Sequence, residues 1–184
     1  PDSVDHDQHF HYRSVIGKLN YLEKSTRPDI AYAVHQCARF SKNPKVEHAK
    51  AVKLIGRYLR GTRNKGIYLR PTDDSFIVWA DADYSGNWKP DDNETTNNAD
   101  TARSRSGYIV SYLGCPLLWK SQLQTEIALS STESEYISLS QSLRKAIPLM
   151  ELVKEMKILG YNVGQTVPAV HCTLFEDNAG ALCL

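Results

Sequence analysis

Residues 75–88 read SFIVWADADYSGNW, and the fold turns on them. Phe76 to Ala80 are consecutive apolar residues, rich in aromatic and β-branched types, behind the turn-like PTDD of residues 71–74. That pattern predicts a strand over 75–80. The strand runs into Asp81. A carboxylate at the end of a buried strand is costly to desolvate. A divalent cation offsets that cost, because magnesium takes hard oxygen ligands and is commonly held by carboxylates together with substrate phosphates.

Two more acids occupy comparable places downstream. Residues 126–129 (EIAL) lead into Ser130-Ser131-Thr132, a run of good helix N-caps. Glu135, three residues past Thr132, completes a capping-box pattern. The helix that follows carries Tyr136, Ile137, Leu139 and Leu143 toward a core. Pro148 is expected to kink or restart it, and Gly160 to end it. Residues 169–175 (AVHCTLF) read as a buried strand with Asp177 just beyond, and 178–184 (NAGALCL) open another helix. In between, 107–113 and 116–120 read as a hairpin around Gly114-Cys115, and the polar stretch 85–106 reads as a surface loop. The order β-β-β-α-β-α predicts an α/β or α+β mixed sheet with helices packed on it. Taken singly, Glu135 is equally a capping residue and Asp177 equally a turn residue before Asn178. Taken with Asp81, they are carboxylates from separate elements converging on one end of a sheet. Two-metal phosphodiester chemistry requires that arrangement, with ions about 3.5–4 Å apart clamping the attacking and leaving oxygens.

Upstream of the strand the apolar period is helical. Val15, Ile16, Leu19 and Leu22 share a face. Thr26 can cap a second helix with Pro28 in its first turn, followed by the stripe Ile30, Ala33, Val34 and Cys37. Val46, Ala49, Val52, Leu54, Ile55 and Leu59 predict a third helix that Gly61 stops. On that helix Lys50, Lys53, Arg57 and Arg60 fall three or four apart and share one face. Such a face either lines a phosphate backbone or is simply solvated. Residues 66–70 (GIYLR) alternate as a short strand. Residues 1–11 (PDSVDHDQHFH) read as a loose lead-in, with His6, His9 and His11 an incidental tail rather than a metal site.

The chain has 184 residues, enough for one generous domain or two small ones. Its 22 Lys and Arg against 21 Asp and Glu give a net charge of +1, which conceals a split. Residues 1–70 hold 14 basic and 6 acidic residues, and residues 71–184 hold 8 basic and 15 acidic. A basic surface selects polyanions such as nucleic acid. Clustered carboxylates select divalent cations. No window is apolar enough for a membrane span, which excludes a membrane partner of that kind. Cys37, Cys115, Cys172 and Cys183 form no paired zinc motif, so a structural zinc is not expected and a reducing, intracellular setting is.

The runs FIVWADADYSGNW (76–88), TARSRSGYIV (101–110), CPLLWKS (115–121), IALSSTESEYISL (127–139) and LFEDNAGAL (174–182) closely resemble the ribonuclease H domain of copia-type retrotransposon polyproteins. Residues 12–62, from YRSVIGKLNYLEK to IGRYLRGT, resemble the segment joining reverse transcriptase to that domain. The resemblance covers about residues 12–184. It implies a ribonuclease H-like α/β fold at 71–184, preceded by a basic helical thumb or connection segment at 12–70 and the lead-in 1–11. It implies catalytic and metal-ligating roles for Asp81, Glu135 and Asp177, two magnesium ions (manganese as an alternative), and cleavage of the RNA strand of an RNA–DNA hybrid. Asp83, on the same side of the strand as Asp81, is a rival ligand. Glu135, followed by the small Ser138, fits the family pattern better than Glu133. Ser130, Ser131 and Thr132 are capping residues, not nucleophiles.

Lys50, Lys53, Arg57, Arg60, Arg103, Arg105 and Lys120 are the expected nucleic-acid contacts, and an upstream reverse transcriptase domain of the same polyprotein is the expected covalent partner. The family carries a fourth acidic residue well past Asp177, so the resemblance implies a domain incomplete at its C-terminus. The expected setting is the cytoplasm, a virus-like particle or the nucleus. The alternatives are a non-catalytic nucleic-acid-binding connection module and, more remotely, an integrase-like nuclease on the same fold.

Overall fold

The computed structural model describes residues 11–72, 75–89, 99–163 and 170–183. The lead-in before His11 and most of the polar stretch 89–101 lie outside the described residues. The chain divides between Tyr68 and Leu69 into two compact units. No described helix is long and apolar enough to cross a membrane.

The first unit holds helices α1 (Tyr12–Ser25), α2 (Ala31–Ala38) and α3 (Val46–Gly61). Their apolar stripes meet in one core: Tyr12, Ile16 and Leu19 of α1, Ile30, Val34 and Cys37, and Val52 and Ile55 of α3. The Tyr12 hydroxyl donates to the Cys37 carbonyl at 2.7 Å inside it. Thr26 does not cap α2; it is the C-cap of α1, and Pro28 opens a short 3₁₀ turn, Pro28–Ile30. Val46 and Leu54, counted in the apolar pattern that predicts α3, are exposed; Leu54 lies about 100° around the helix from Ile55.

Arg27 ties the far end of α3 to this turn. Its Nε and Nη2 donate to the two carboxylate oxygens of Asp29 at 2.9 and 2.7 Å, and Nη2 also donates to Thr62 Oγ1 at 2.7 Å. Tyr58 donates to the same carboxylate at 2.8 Å. These donors hold the Asp29 carboxyl down at about 2.

The second unit is a four-stranded mixed sheet carrying a long helix. Its strands are β1 (Phe76–Asp83), β2 (Arg105–Tyr112), β3 (Cys115–Leu123) and β4 (Cys172–Phe175). The spatial order is β3-β2-β1-β4, with β1 parallel to β4 and the other neighbours antiparallel. The α+β expectation holds at this level. Helix α4 (Ser131–Ile158) follows β3, and α5 (Ala179–Leu182) follows β4. Period two sends Phe76, Val78 and Ala80 into a core with Tyr108, Val110, Ala146 and Val153. Trp79 lies on the other face and stacks on Phe175, with ring centroids 6.0 Å apart.

Three expectations need correction. Residues 66–70 are irregular rather than a strand, since Tyr68 and Leu69 are exposed and bury no face. The hairpin turns at Leu113-Gly114, both with positive φ, and Cys115 already belongs to β3. This is the twist-matched two-residue turn. Finally, α4 does not restart at Pro148: it is one helix of 28 residues with the proline inside it. One missing N–H is tolerated where so many other helical bonds and a buried face hold the segment.

Candidate metal centre

The centre is built where two parallel strands end side by side. Trp79 pairs with Phe175 at the last rung of the β1–β4 ladder. Extending that register by two residues sets Asp177 beside Asp81. The third acid comes from α4, whose first turn is fixed by a capping arrangement different from the one the sequence suggests. Ser130, not Thr132, is the N-cap, and its Oγ accepts from the Glu133 N–H at 3.1 Å. Glu133 in turn accepts from the Leu129 N–H at 2.7 Å. Glu133 therefore closes the capping pair, and Glu135 is released from that role. At the other side Asn178 caps α5, its Oδ1 accepting from the Ala181 N–H at 3.0 Å. The cap of that helix is thus Asn178 and not Asp177.

The docking of α4 aims Glu135. Ser134, Ser138 and Ser142, each four residues apart, are fully buried and let the helix approach the sheet closely. Ser138 Oγ donates to the Asp81 carbonyl at 2.8 Å, fastening the turn beside Glu135 to the end of β1. Gln124, 1% exposed, bridges Ser106 Oγ at 3.0 Å and the Ser134 carbonyl at 2.8 Å. Gly180 brings α5 against the start of α4, where a Cβ would meet Thr132 Oγ1 at 3.0 Å.

Asp81, Glu135 and Asp177 each place a carboxylate oxygen within 4.8 Å of the others. Asp81 and Asp177 are exposed, whereas Glu135 is 7% exposed. Glu135 Oε2 is buried without a hydrogen-bond partner. Desolvation pushes its carboxyl up to about 7, with further contributions from Glu176, Asp81 and Asp177. A buried, unpartnered carboxylate oxygen facing two exposed carboxylates has the chemistry of a divalent-cation ligand set.

Glu176 is the residue sequence reasoning missed. Its Oε1 accepts from the Asn178 N–H at 3.3 Å, and Oε2 is buried without a partner. Burial is the main cause that raises its carboxyl, and it contributes to raising Glu135. Glu176 is therefore a further buried carboxyl whose charge acts on Glu135, although it lies outside the three-carboxylate cluster. Strand alternation was the available signal: Cys172, Leu174 and Glu176 fall on the same face. Asp83 closes β1 on the same side as Asp81 but lies outside the three-carboxylate cluster, close to Gly86, where a Cβ would meet its Oδ1 at 2.1 Å.

The expected cationic contacts fare differently. Lys50, Lys53, Arg57 and Arg60 line one groove with Gly56 on α3. Lys120 is exposed on β3. Arg103 is half-buried and pairs with Asp100 at 3.0 Å. Arg105 is 3% exposed, with Nη1 on Ser121 Oγ at 3.4 Å, so it supports the sheet and is withdrawn from the surface contacts.

No protein-family model and no solved structure matches the chain. Among curated proteins, it is 39% identical over 175 residues to the retrovirus-related Pol polyprotein from transposon RE1 of Arabidopsis thaliana, covering 94% of this chain. It is 37% identical over 145 residues to that from transposon TNT 1-94 of Nicotiana tabacum, covering 79%. The chain spans 10% of the length of each of these polyproteins. It is also 33% identical over 147 residues to the secreted RxLR effector protein 161 of Plasmopara viticola, and covers 96% of that protein.

Proposed function

Because the chain belongs with the retrovirus-related Pol polyproteins of transposons, as a segment of about a tenth of their length, we propose that it is their ribonuclease H region. In this reading the second unit is a divalent-metal-dependent endonuclease that cuts the RNA strand of an RNA–DNA hybrid during reverse transcription. The observation that carries it is the convergence of Asp81, Glu135 and Asp177 to within 4.8 Å at the ends of two parallel strands. The likeness of the sequence motifs to ribonuclease H supports the choice of reaction.

Asp81, Glu135 and Asp177 would hold the ions, two of magnesium or manganese. When bound, the metal supplies charge neutralisation at the scissile phosphate and a water acidic enough to attack at neutral pH. The protein contributes position and charge. Exposed Asp81 and Asp177 face the substrate side. Buried Glu135 is held in place by the Ser138 and Gln124 contacts, so the ligand set is preformed. Glu176 adds negative charge beside Glu135 and tightens the demand for a cation. Lys120 and Arg103 are the hybrid contacts proposed on this unit, and the 2′-hydroxyl with groove shape would distinguish RNA from DNA. The test is hybrid cleavage by the purified chain with magnesium, lost in Asp81→Asn. Hybrid binding without cleavage would instead favour a non-catalytic connection module, the reading to which the basic row on α3 lends weight.

A further inference from the structure

The chain passes from one compact unit to the next at Tyr68-Leu69. From Lys65 to Thr72 it forms neither helix nor strand. The Lys65 N–H donates to the Thr62 carbonyl at 2.9 Å, and the Thr72 N–H donates to the Leu113 carbonyl at 2.9 Å. Between those two anchors no backbone–backbone hydrogen bond is made among the described residues. In the middle of this stretch Tyr68 is 89% exposed and Leu69 is 68% exposed. Neither belongs to the core of either unit, so folding does not account for two large apolar side chains side by side in water. Other exposed apolar residues are held differently. Ile158 ends α4, and the Leu159 N–H donates to the Glu155 carbonyl at 3.0 Å. The Leu129 N–H donates to the Glu133 carboxylate at 2.7 Å. The Tyr161 N–H donates to the Met156 carbonyl at 3.0 Å. Their backbone is already engaged, whereas that around Tyr68-Leu69 is open to a partner.

We propose that the Tyr68–Leu69 peptide bond is a processing site, cut by an endopeptidase with large apolar pockets on both sides of the scissile bond, which releases two folded units. An extended peptide is bound through main-chain hydrogen bonds, which supply affinity, and through pockets for its side chains, which supply specificity. Residues 65–72 offer both, with four residues on each side of the bond and an extended reach of about 26 Å. In the reaction a water oxygen adds to the Tyr68 carbonyl carbon and the C–N bond to Leu69 breaks. The leaving nitrogen takes up both water protons, giving a Tyr68 carboxylate and a Leu69 ammonium. The cut lies outside both clusters of buried residues, so each product keeps its own core. It also parts the charges: residues 1–68 hold 13 basic and 6 acidic residues, and residues 69–184 hold 9 basic and 15 acidic.

The experiment is timed digestion of the full chain at a low enzyme ratio. Chymotrypsin reads the residue before the bond through a hydrophobic slot, and thermolysin, used separately, reads the apolar residue after it. Within residues 11–163 the first cut by each enzyme should fall at Tyr68–Leu69, seen by mass and as a new N-terminus at Leu69. The products carry opposite net charge, so ion exchange separates them, and each should keep its circular dichroism spectrum. Tyr68→Asp should slow chymotrypsin at this bond, and Leu69→Asp should slow thermolysin, by about tenfold or more. Both variants should melt like the wild type, because both side chains are exposed. Asp81→Asn should be cut at the wild-type rate, so this proposal and the nuclease reading fail separately. A first cut elsewhere in that range, unaltered rates in both variants, or a product that loses its fold on release overturns the proposal.

Discussion

Glu135 shows what a single residue does at this site. Held at 7% exposure among three other carboxylates, its charge opposes folding in the absence of metal. Glu135→Gln keeps the shape and removes the charge. The expected outcome at pH 7.5 is a higher melting temperature than the wild type in EDTA, by several degrees, and loss of the stabilisation that magnesium gives the wild type. A variant that melts lower and still responds to magnesium would contradict the assignment of Glu135 as a buried ligand. Asp29 makes the opposite case. Its carboxyl is held at about 2 by Arg27, below the ordinary 3.8, so its contribution is present above pH 3.8 and is lost as pH falls through about 2. In acid titrations followed by helical circular dichroism, Asp29→Asn should be less stable than the wild type at pH 6, with the gap closing toward pH 2. A gap that stays constant across that range would contradict it. These two roles differ in legibility. Strand-end Asp81 and Asp177 stand out because long apolar runs precede them. Glu176 did not, because an acid beside an acid looks like a turn until the face it occupies is known.

Elements are where the sequence was partly misleading. The succession of strands and helices along the second unit was legible from its apolar runs and capping residues, but their spatial order β3-β2-β1-β4 was not. The cap itself was not: Thr132 and Glu135 satisfy the capping spacing as well as Ser130 and Glu133 do, and only the start of α4 separates them. Pro148 looked like a break because propensity is local, whereas α4 is held by a buried face running from Ser134 to Val153. Residues 66–70 alternate, but alternation without a partner strand makes no sheet. Two variants test the element-level account. Ser138 is fully buried between α4 and the ends of β1 and β2, so Ser138→Leu should push the helix off the sheet, costing about 2 kcal/mol or more. Chemical denaturation of the variant measures this, and a loss below 0.5 kcal/mol in that order-of-magnitude estimate would refute the close packing. Leu113 sits at φ +55 ahead of Gly114. Leu113→Asn creates the preferred Asn-Gly pair and should stabilise the hairpin by about 0.5–1 kcal/mol. Destabilisation by the same measurement would show that the leucine side chain, not the turn, governs that corner.

At the scale of the molecule, a net charge of +1 separates into a basic helical unit and an acidic sheet unit. Each sign goes with one candidate site: a row of cations over Gly56, and a cluster of carboxylates at the ends of β1 and β4. The sequence showed the charge split plainly. It did not show that Arg105 is consumed inside the sheet while its neighbours in charge stay outside. The central claim is that the carboxylate cluster is a metal-dependent nuclease centre. The most direct measurement is cleavage of an RNA–DNA hybrid labelled on the RNA strand, with the wild-type chain and Asp81→Asn side by side, in magnesium and in EDTA. The account predicts RNA-strand cleavage by the wild type in magnesium alone, reduced at least a hundredfold in Asp81→Asn. No cleavage by the wild type, or equal cleavage by both proteins, would contradict it.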